Sequence, residues 1–268
     1  MSKAKKIQLQ KRESAASQVQ LHPVTELKDR TVLVTGGAHR LGKAMTLAAA
    51  EAGAQVAFTY LQSAEEAEEI LAAIKAMGRE GLSIRCDLRD SQSIAAAVEA
   101  TLKRFGKIDV LINNAGRFET TKFENLSQEQ WDDIFAVNVR GPFLVSQRCL
   151  AALRQSHGRI INIGSLGGEH PWATHAHYCS SKAALHMLTK VMAKALAPEI
   201  AVNCVAPGMI DLADGTGDAS AFKRFAEKTP MRRNGTQADV VSSVLYFAAA
   251  PHFVTGQILS VDGGLGLE

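Results

Sequence analysis

The sequence predicts an α/β protein: one doubly wound domain of about seven parallel strands with helices on both faces. Three observations predict it. Short apolar, β-branched runs recur from residue 31 onward, without the polar alternation of a half-exposed strand. Between them lie stretches with apolar residues at helical spacing. Glycines and polar turns punctuate the boundaries. Strands and helices that alternate in this way pack as a parallel sheet covered on both sides.

The first strand is 31–35, which runs into Gly36-Gly37. Residues 41–52 are rich in Ala and Leu and make the first helix, closed by Gly53. Residues 55–60 are the second strand. Ser63 and Glu66 have capping-box spacing, and Ile70, Ile74 and Met77 follow on one helical face, with Gly78 just past the end. Residues 82–88 are the third strand. Ile94, Val98, Leu102 and Phe105 form the next helical stripe, ended by Gly106. Residues 107–113 are the fourth strand. Ser127 and Gln130 offer a second capping box, for a long helix through Trp131, Ile134, Asn138 and Phe143 to Leu153. Residues 159–163 are the fifth strand, and 175–196 are a helix stopped before Pro198. Residues 200–205 are the sixth strand, followed by Pro207-Gly208. Residues 209–236 are polar and irregular, with helical turns near 222–228, and are expected to form a lid. A helix over 239–249 and a strand over 257–261 complete the pattern.

Composition narrows the function classes. The chain has 268 residues, 46% apolar and 21% charged, which excludes a wholly disordered protein. No apolar stretch reaches the ~18–20 residues that span a membrane. Residues 1–30 hold seven Lys/Arg against three acids, so +4 of the +3 total sits there and the remaining body carries −1. That partition marks 1–30 as a basic extension, loosely packed and flexible, and 31–268 as the domain. A phosphate-binding arm and a targeting peptide are the other readings of the extension. A near-neutral body argues against nucleic acid as a partner. Cys86, Cys149, Cys179 and Cys204 show no zinc spacing and read as free thiols of a reducing, cytoplasmic compartment. His170, His175 and His177 cluster with only Glu169 beside them, which reads as a polar loop near a pocket rather than a metal site.

Chemistry enters at the strand ends. Thr35-Gly-Gly-Ala-His-Arg-Leu-Gly42 joins the first strand to the first helix. Glycines there let backbone approach a pyrophosphate, and the helix N-terminus offers unpaired N–H groups and a positive dipole end. Such a loop marks a Rossmann-type dinucleotide site. Tyr60 stands at the end of the second strand, where an NAD-specific site carries an acid. Leu61, Gln62 and Ser63 follow, and Arg40 lies in the glycine loop beside them. With no carboxylate to repel a 2′-phosphate and an arginine to attract one, NADPH is favoured over NADH. Tyr178 and Lys182 are four apart on a helix and share a face. A neighbouring ammonium and the positive nicotinamide ring of oxidised cofactor are expected to lower the tyrosine pKa and fit it for proton transfer.

These motifs, in this order, resemble the short-chain dehydrogenase/reductase family over about residues 30–266. The shared marks are the glycine loop, Asp87, Asn113-Asn114-Ala115-Gly116, Asn138, Ser165, Tyr178-x-x-x-Lys182 and Pro207-Gly208. Arg40 departs from the family, which usually has glycine there. The resemblance implies a catalytic set of Asn138, Ser165, Tyr178 and Lys182. It implies cofactor contacts at Gly36, His39, Arg40, Leu41, Gly42, Tyr60, Ser63, Asp87, Leu88, Asn114, Ala115, Gly116, Tyr178, Lys182, Pro207 and Gly208, and no metal. It implies a homotetramer, with a dimer next.

The substrate is less legible. Phe118, Trp172 and Met209 are candidate pocket walls, with core packing as the other reading. Arg40, Phe118 and the shortened Leu196–Asn203 segment resemble the pteridine-reductase branch. Ser165 and Gly116 resemble the 3-oxoacyl-carrier-protein reductases instead. The expected reaction is NADPH-dependent reduction of C=O in a small molecule. Pterin C=N reduction is the alternative, and a cofactor-sensing regulator is the non-enzymatic one.

Overall fold

The computed structural model describes residues 26–212 and 219–267. In chain order the elements are β1 (Thr31–Val34), α1 (Arg40–Glu51), β2 (Gln55–Tyr60), α2 (Ala64–Ala76), β3 (Gly81–Arg85), α3 (Ser91–Phe105) and β4 (Val110–Asn113). Then come α4 (Gln128–Phe135), a π turn (Ala136–Arg140), α5 (Gly141–Gln155), β5 (Arg159–Ile163), α6 (Ala176–Leu196), β6 (Ala201–Pro207) and β7 (Ile210–Asp211). The last are α7 (Ala219–Lys228), β8 (Gly235–Thr236), α8 (Gln237–Ala249) and β9 (Ile258–Val261).

Among the described residues seven strands form one sheet, ordered β3-β2-β1-β4-β5-β6-β9, and every pairing is parallel. The order reverses between β1 and β4. Open α/β sheets bind ligands outside the carboxyl ends of the strands at such a reversal. Successive side chains alternate between faces. Val32 and Val34 therefore join Phe58 and Ile112 under α1, α2 and α8. Leu33 joins Ala57, Leu111 and Ile160 under α3, α5 and α6.

The sequence reading holds for every strand of the main sheet, and several boundaries move. Leu27 is fully buried and its N–H bonds Ala52 O at 2.8 Å, so the packed unit begins before residue 31. Residues 1–25, the bulk of the expected basic extension, lie outside the described residues. Ser127 and Gln130 form the expected capping box. Ser63 does not: its backbone (φ −80°, ψ 62°) is not extended, and its side chain makes no capping bond. Glu65 and Glu66 still place acid in the first turn of α2. The long helix expected over 127–153 is interrupted by the π turn. The lid region is more ordered than expected. β7 and β8 pair within it, α7 begins at Ala219, and α8 starts on a capping box of Thr236 and Asp239. Residues 213–218 of that lid lie outside the described residues.

Candidate active site

The site is built at the carboxyl ends of β1, β4 and β5. Gly36 has φ +62°, and a Cβ on it would lie 2.9 Å from Ala115 Cα. A Cβ on Gly42 would overlap Gly36 O. The glycine loop thus folds back against α1 and against the turn after β4. Thr35 locks the two together: its Oγ1 accepts from Asn114 N at 3.0 Å and Ala115 N at 3.1 Å. The Asn114 amide donates to Thr35 O and Gly36 O, each at 2.9 Å. Asn114 therefore shapes the cleft through its side-chain bonds to the loop.

A cleft of about 390 Å³ runs along this loop. It is lined by Gly36, His39, Arg40, Leu41, Gly42, Tyr60, Asp87, Leu88, Asn114, Ala115 and Gly116. At its floor α1 begins without a side-chain cap and without an acid in its first turn. Those N–H groups are a ready anion site. Arg40 has φ +49°, the left-handed conformation that favours glycine. The chain keeps the backbone shape of that position and adds a cation to it. Asp87 accepts from Arg89 N at 2.9 Å and Arg89 Nε at 2.8 Å, and the guanidinium holds its carboxyl below the usual range. The uncapped helix start and the glycine cradle fit a dinucleotide, and among the described residues Asp87 is the one carboxylate lining the cleft. Ser63 is the exception among the expected contacts: it caps α2 by position and does not line the cleft.

A second cavity of about 310 Å³ continues from the first and shares Leu41, Asn114, Gly116 and Leu212 with it. Ser165, Tyr178 and Lys182 converge there, with Phe118, Trp172, Pro207, Gly208 and Met209. Ser165 stands two residues past β5 in extended backbone, and its Oγ accepts from Gly167 N at 3.1 Å. Its hydroxyl lies on the same cavity as the Tyr178 phenol and favours the ionised form of that phenol. Lys182 is buried and donates from Nζ to Ile163 O at 2.8 Å.

Lys182 by itself does not lower the Tyr178 pKa. Burial pushes the phenol up to about 12, against a smaller downward effect of the Ser165 hydroxyl. Burial also brings Lys182 down to about 8. The resting pair below pH 8 is therefore a protonated phenol beside a charged ammonium. Asn138 sits in the π turn, 1% exposed. Its Oδ1 accepts from Arg117 N at 2.7 Å, and its Nδ2 donates to Arg117 O and Ser181 Oγ. This clamps the strand-end segment that carries Gly116 and Phe118 against α6.

Rings enclose the tyrosine. Phe118 meets it edge-on with centroids 4.8 Å apart, and Trp172 lies nearly parallel at 6.0 Å. His175 stacks on Phe118 at 4.8 Å, and its ring nitrogens lie 3.0 Å from the hydroxyls of Thr120 and Thr174. Among the described residues no group of three or more His, Cys, Asp and Glu is placed to hold a metal. The described cysteines are free thiols.

His175 lies in a polar loop beside the pocket, as the sequence suggested, whereas sequence reasoning assigned no role to Thr35, His186, or Arg117 with its ion pairs to Asp133 at 2.8 Å and Glu119 at 3.1 Å. Thr35 had a signal, since a hydroxyl just before a glycine loop can hold it. His186 bonds a backbone 21 residues away, and Arg117 reaches Asp133 on the next helix, contacts that no local pattern announces.

The profile of the family described as Enoyl-(Acyl carrier protein) reductase matches residues 36–266. A 3-oxoacyl-[acyl-carrier-protein] reductase of Staphylococcus aureus is 34% identical over 241 residues, covering 88% of this chain and 98% of that one. A 3-oxoacyl-[acyl-carrier-protein] reductase of Synechocystis is 34% identical over 246 residues, covering 90% and 99%. A solved short-chain dehydrogenase/reductase of Serratia marcescens superposes with a TM-score of 0.85 at 35% identity, covering 91% and 100%. A putative short-chain alcohol dehydrogenase of Sinorhizobium meliloti also gives 0.85, at 31% identity, covering 91% and 98%. With its parallel sheet, glycine cradle and joined cavities, the chain belongs to the short-chain dehydrogenase/reductase family, whose members are nicotinamide-dependent oxidoreductases acting between CH–OH and C=O.

Proposed function

We propose that this protein is an NADPH-dependent reductase of a small-molecule carbonyl, with Tyr178 as proton donor. The observation that carries the reading is the convergence of Ser165, Tyr178 and Lys182 in one cavity that opens into the glycine-loop cleft. NADPH, when bound, supplies the hydride that reduces the carbonyl carbon. Gly36, Leu41 and Gly42 would hold the pyrophosphate, Arg40 the 2′-phosphate, Asp87 the adenine end, and Tyr178 with Lys182 the nicotinamide ribose. The Tyr178 O–H gives its proton to the substrate oxygen, so the product is an alcohol. The Ser165 hydroxyl donates to the same oxygen and orients it. Lys182 stabilises the phenolate left behind. Asn138 keeps the walls in register rather than touching the reacting atoms through its amide.

The relatives' names favour a 3-oxoacyl thioester as the first substrate to try. The aromatic enclosure favours a flat conjugated one, so pterin C=N reduction is the second reading. We place the protein in the cytoplasm as a homotetramer assembled on the long helices, a dimer being the next choice. Phe143, Met187 and Val191 are 42%, 59% and 54% exposed on α5 and α6, which supports such a contact. The deciding experiment is turnover of acetoacetyl thioester, dihydrobiopterin, a quinone and a simple ketone, each with NADPH and NADH. Oxidation of NADPH by one of them is expected. Tight cofactor binding with no turnover of any would favour a cofactor-sensing regulator.

A further inference from the structure

We propose that His186 is a positioning residue for Ser165: its imidazole seats the turn that carries the serine, and Glu169 sets which ring nitrogen faces that turn. The proposal rests on the carbonyl-reductase reading of the site, yet it concerns a residue outside that catalytic set.

His186 lies one helical turn after Lys182 and two after Tyr178, so the three share a face of α6. It is 6% exposed. Its Nε2 lies 3.5 Å from the Ser165 backbone nitrogen. A backbone N–H only donates, so Nε2 is the accepting nitrogen and the ring proton sits on Nδ1. Nδ1 faces Glu169 Oε1 at 3.8 Å.

The chain closes around this ring from both sides. A Cβ on Gly164 would overlap Nε2, and one on Gly168 would sit 2.7 Å from Cε1. Glycine before and after the turn is what lets backbone lie against the imidazole. Two more bonds complete the turn: Gly168 N to Ser165 O at 2.9 Å and Gly167 N to Ser165 Oγ at 3.1 Å. The second uses an Oγ lone pair on the Gly167 side and leaves the serine hydroxyl proton free for the cavity it shares with Tyr178. His186 therefore reaches the chemistry through the serine main chain.

The arrangement is sensitive to protonation. A proton on Nε2 would set two donors against each other, and the turn would open. Burial holds the imidazole below its ordinary pKa. Lys182 and Lys190, on its own helix, push the same way, and Glu169 on the serine turn pushes against them. From β6, Cys204 packs at the same glycine and stays a thiol, since burial pushes it up to about 12.

The test uses the full chain, NADPH and ethyl acetoacetate as probe. His186→Leu is expected to lower kcat about 10- to 100-fold with NADPH affinity unchanged. His186→Gln, whose amide oxygen replaces the acceptor, is expected to recover to within about threefold. Wild type should lose kcat on an acid limb that His186→Gln lacks. Glu169→Gln should move that limb to lower pH, because the imidazolium loses its neighbouring anion. Equal losses in Leu and Gln, with the acid limb intact in Gln, overturn the proposal. A readout without substrate covers a misfolded Leu variant or an inactive probe. In 15N-histidine-labelled protein, His186 must carry its proton on Nδ1 with Nε2 as acceptor, and the opposite tautomer overturns the proposal. If wild type reduces no carbonyl probe, the reaction assignment fails while this measurement still decides the role of His186.

Discussion

Lys182 Nζ stands 5.8 Å from the centroid of the Tyr178 ring and spends a hydrogen bond on the Ile163 carbonyl at 2.8 Å. The lysine is thus anchored to β5 and faces the ring without bonding its oxygen directly. A protonated phenol is the state a reductase needs at the start of its cycle. Tyr178→Phe removes that proton and leaves the cleft walls in place. Turnover should fall by about 10²–10⁴-fold while NADPH still binds. Steady-state kinetics beside a fluorescence titration checks this, and surviving turnover would refute the donor assignment.

The pH profile should report the lysine. Tyr178, at about 12, stays protonated through the neutral and mildly alkaline range. Lys182, at about 8, is charged below that pH and loses its charge above it. The ammonium stabilises the phenolate formed by proton donation, so reduction should be flat just below pH 8 and fall as pH rises through it. Lys182→Arg keeps the charge and should remove this limb, whatever its absolute rate. A limb first appearing near pH 10 would show that the charge of Lys182 is not the controlling one.

Arg40 combines a glycine-like backbone with a charge, and the two can be separated. Arg40→Gly keeps the left-handed turn without strain, whereas Arg40→Ala keeps neither charge nor conformational ease. Both should weaken NADPH about tenfold or more relative to NADH, because each loses one charge-assisted contact. Only Arg40→Ala should weaken NADH as well. Parallel loss of both cofactors in Arg40→Gly would remove the 2′-phosphate argument.

Thr35→Val retains shape and deletes the oxygen that accepts from Asn114 N and Ala115 N. Ala115 N–H loses its partner, at about 1–3 kcal/mol if it stays unsatisfied, while Asn114 N–H keeps Ile112 O at 3.1 Å. Denaturant unfolding should show that loss together with weaker cofactor binding. A variant as stable as wild type would mean that the loop is held by other bonds.

Thr236→Ala removes the hydroxyl that accepts from Asp239 N and starts α8. The expected cost is about 1 kcal/mol, or roughly 2–4 °C in Tm, with catalysis little changed. Calorimetry checks it, and a change confined to kcat would place Thr236 in the site instead.

The legible part of the fold is the part governed by burial. Strands such as Val110–Asn113 are buried on both faces and read as apolar runs. The same motif misled where the preceding chain decides the outcome. Ser127 and Ser63 both stand three residues before an acid or amide, yet only Ser127 enters its helix from extended backbone and closes the box. The two-residue strands β7 and β8 are too short to carry any period. At the site, the expected cofactor contacts line the cavities, Ser63 apart, while Asn113 and Asn138 are buried behind the walls. Asn114 lay where expected, but its amide is committed to the glycine loop, a contact across 79 residues. His186 had no motif around it, because its partners are a backbone N–H and the space left by two glycines.

The π turn at Ala136–Arg140 holds one residue more than the α-helical path requires. Each residue of an α-helix turns the chain by ~100°, so that surplus residue offsets α5 from α4 by about that angle. Shortening the turn by one residue would act as a rotation of α5, swinging Val145 and Cys149 off the sheet and carrying Asn138 away from Arg117. Length changes at this point are thus coupled to the clamp and the core at once, which makes 136–140 the least indel-tolerant stretch of the long helix.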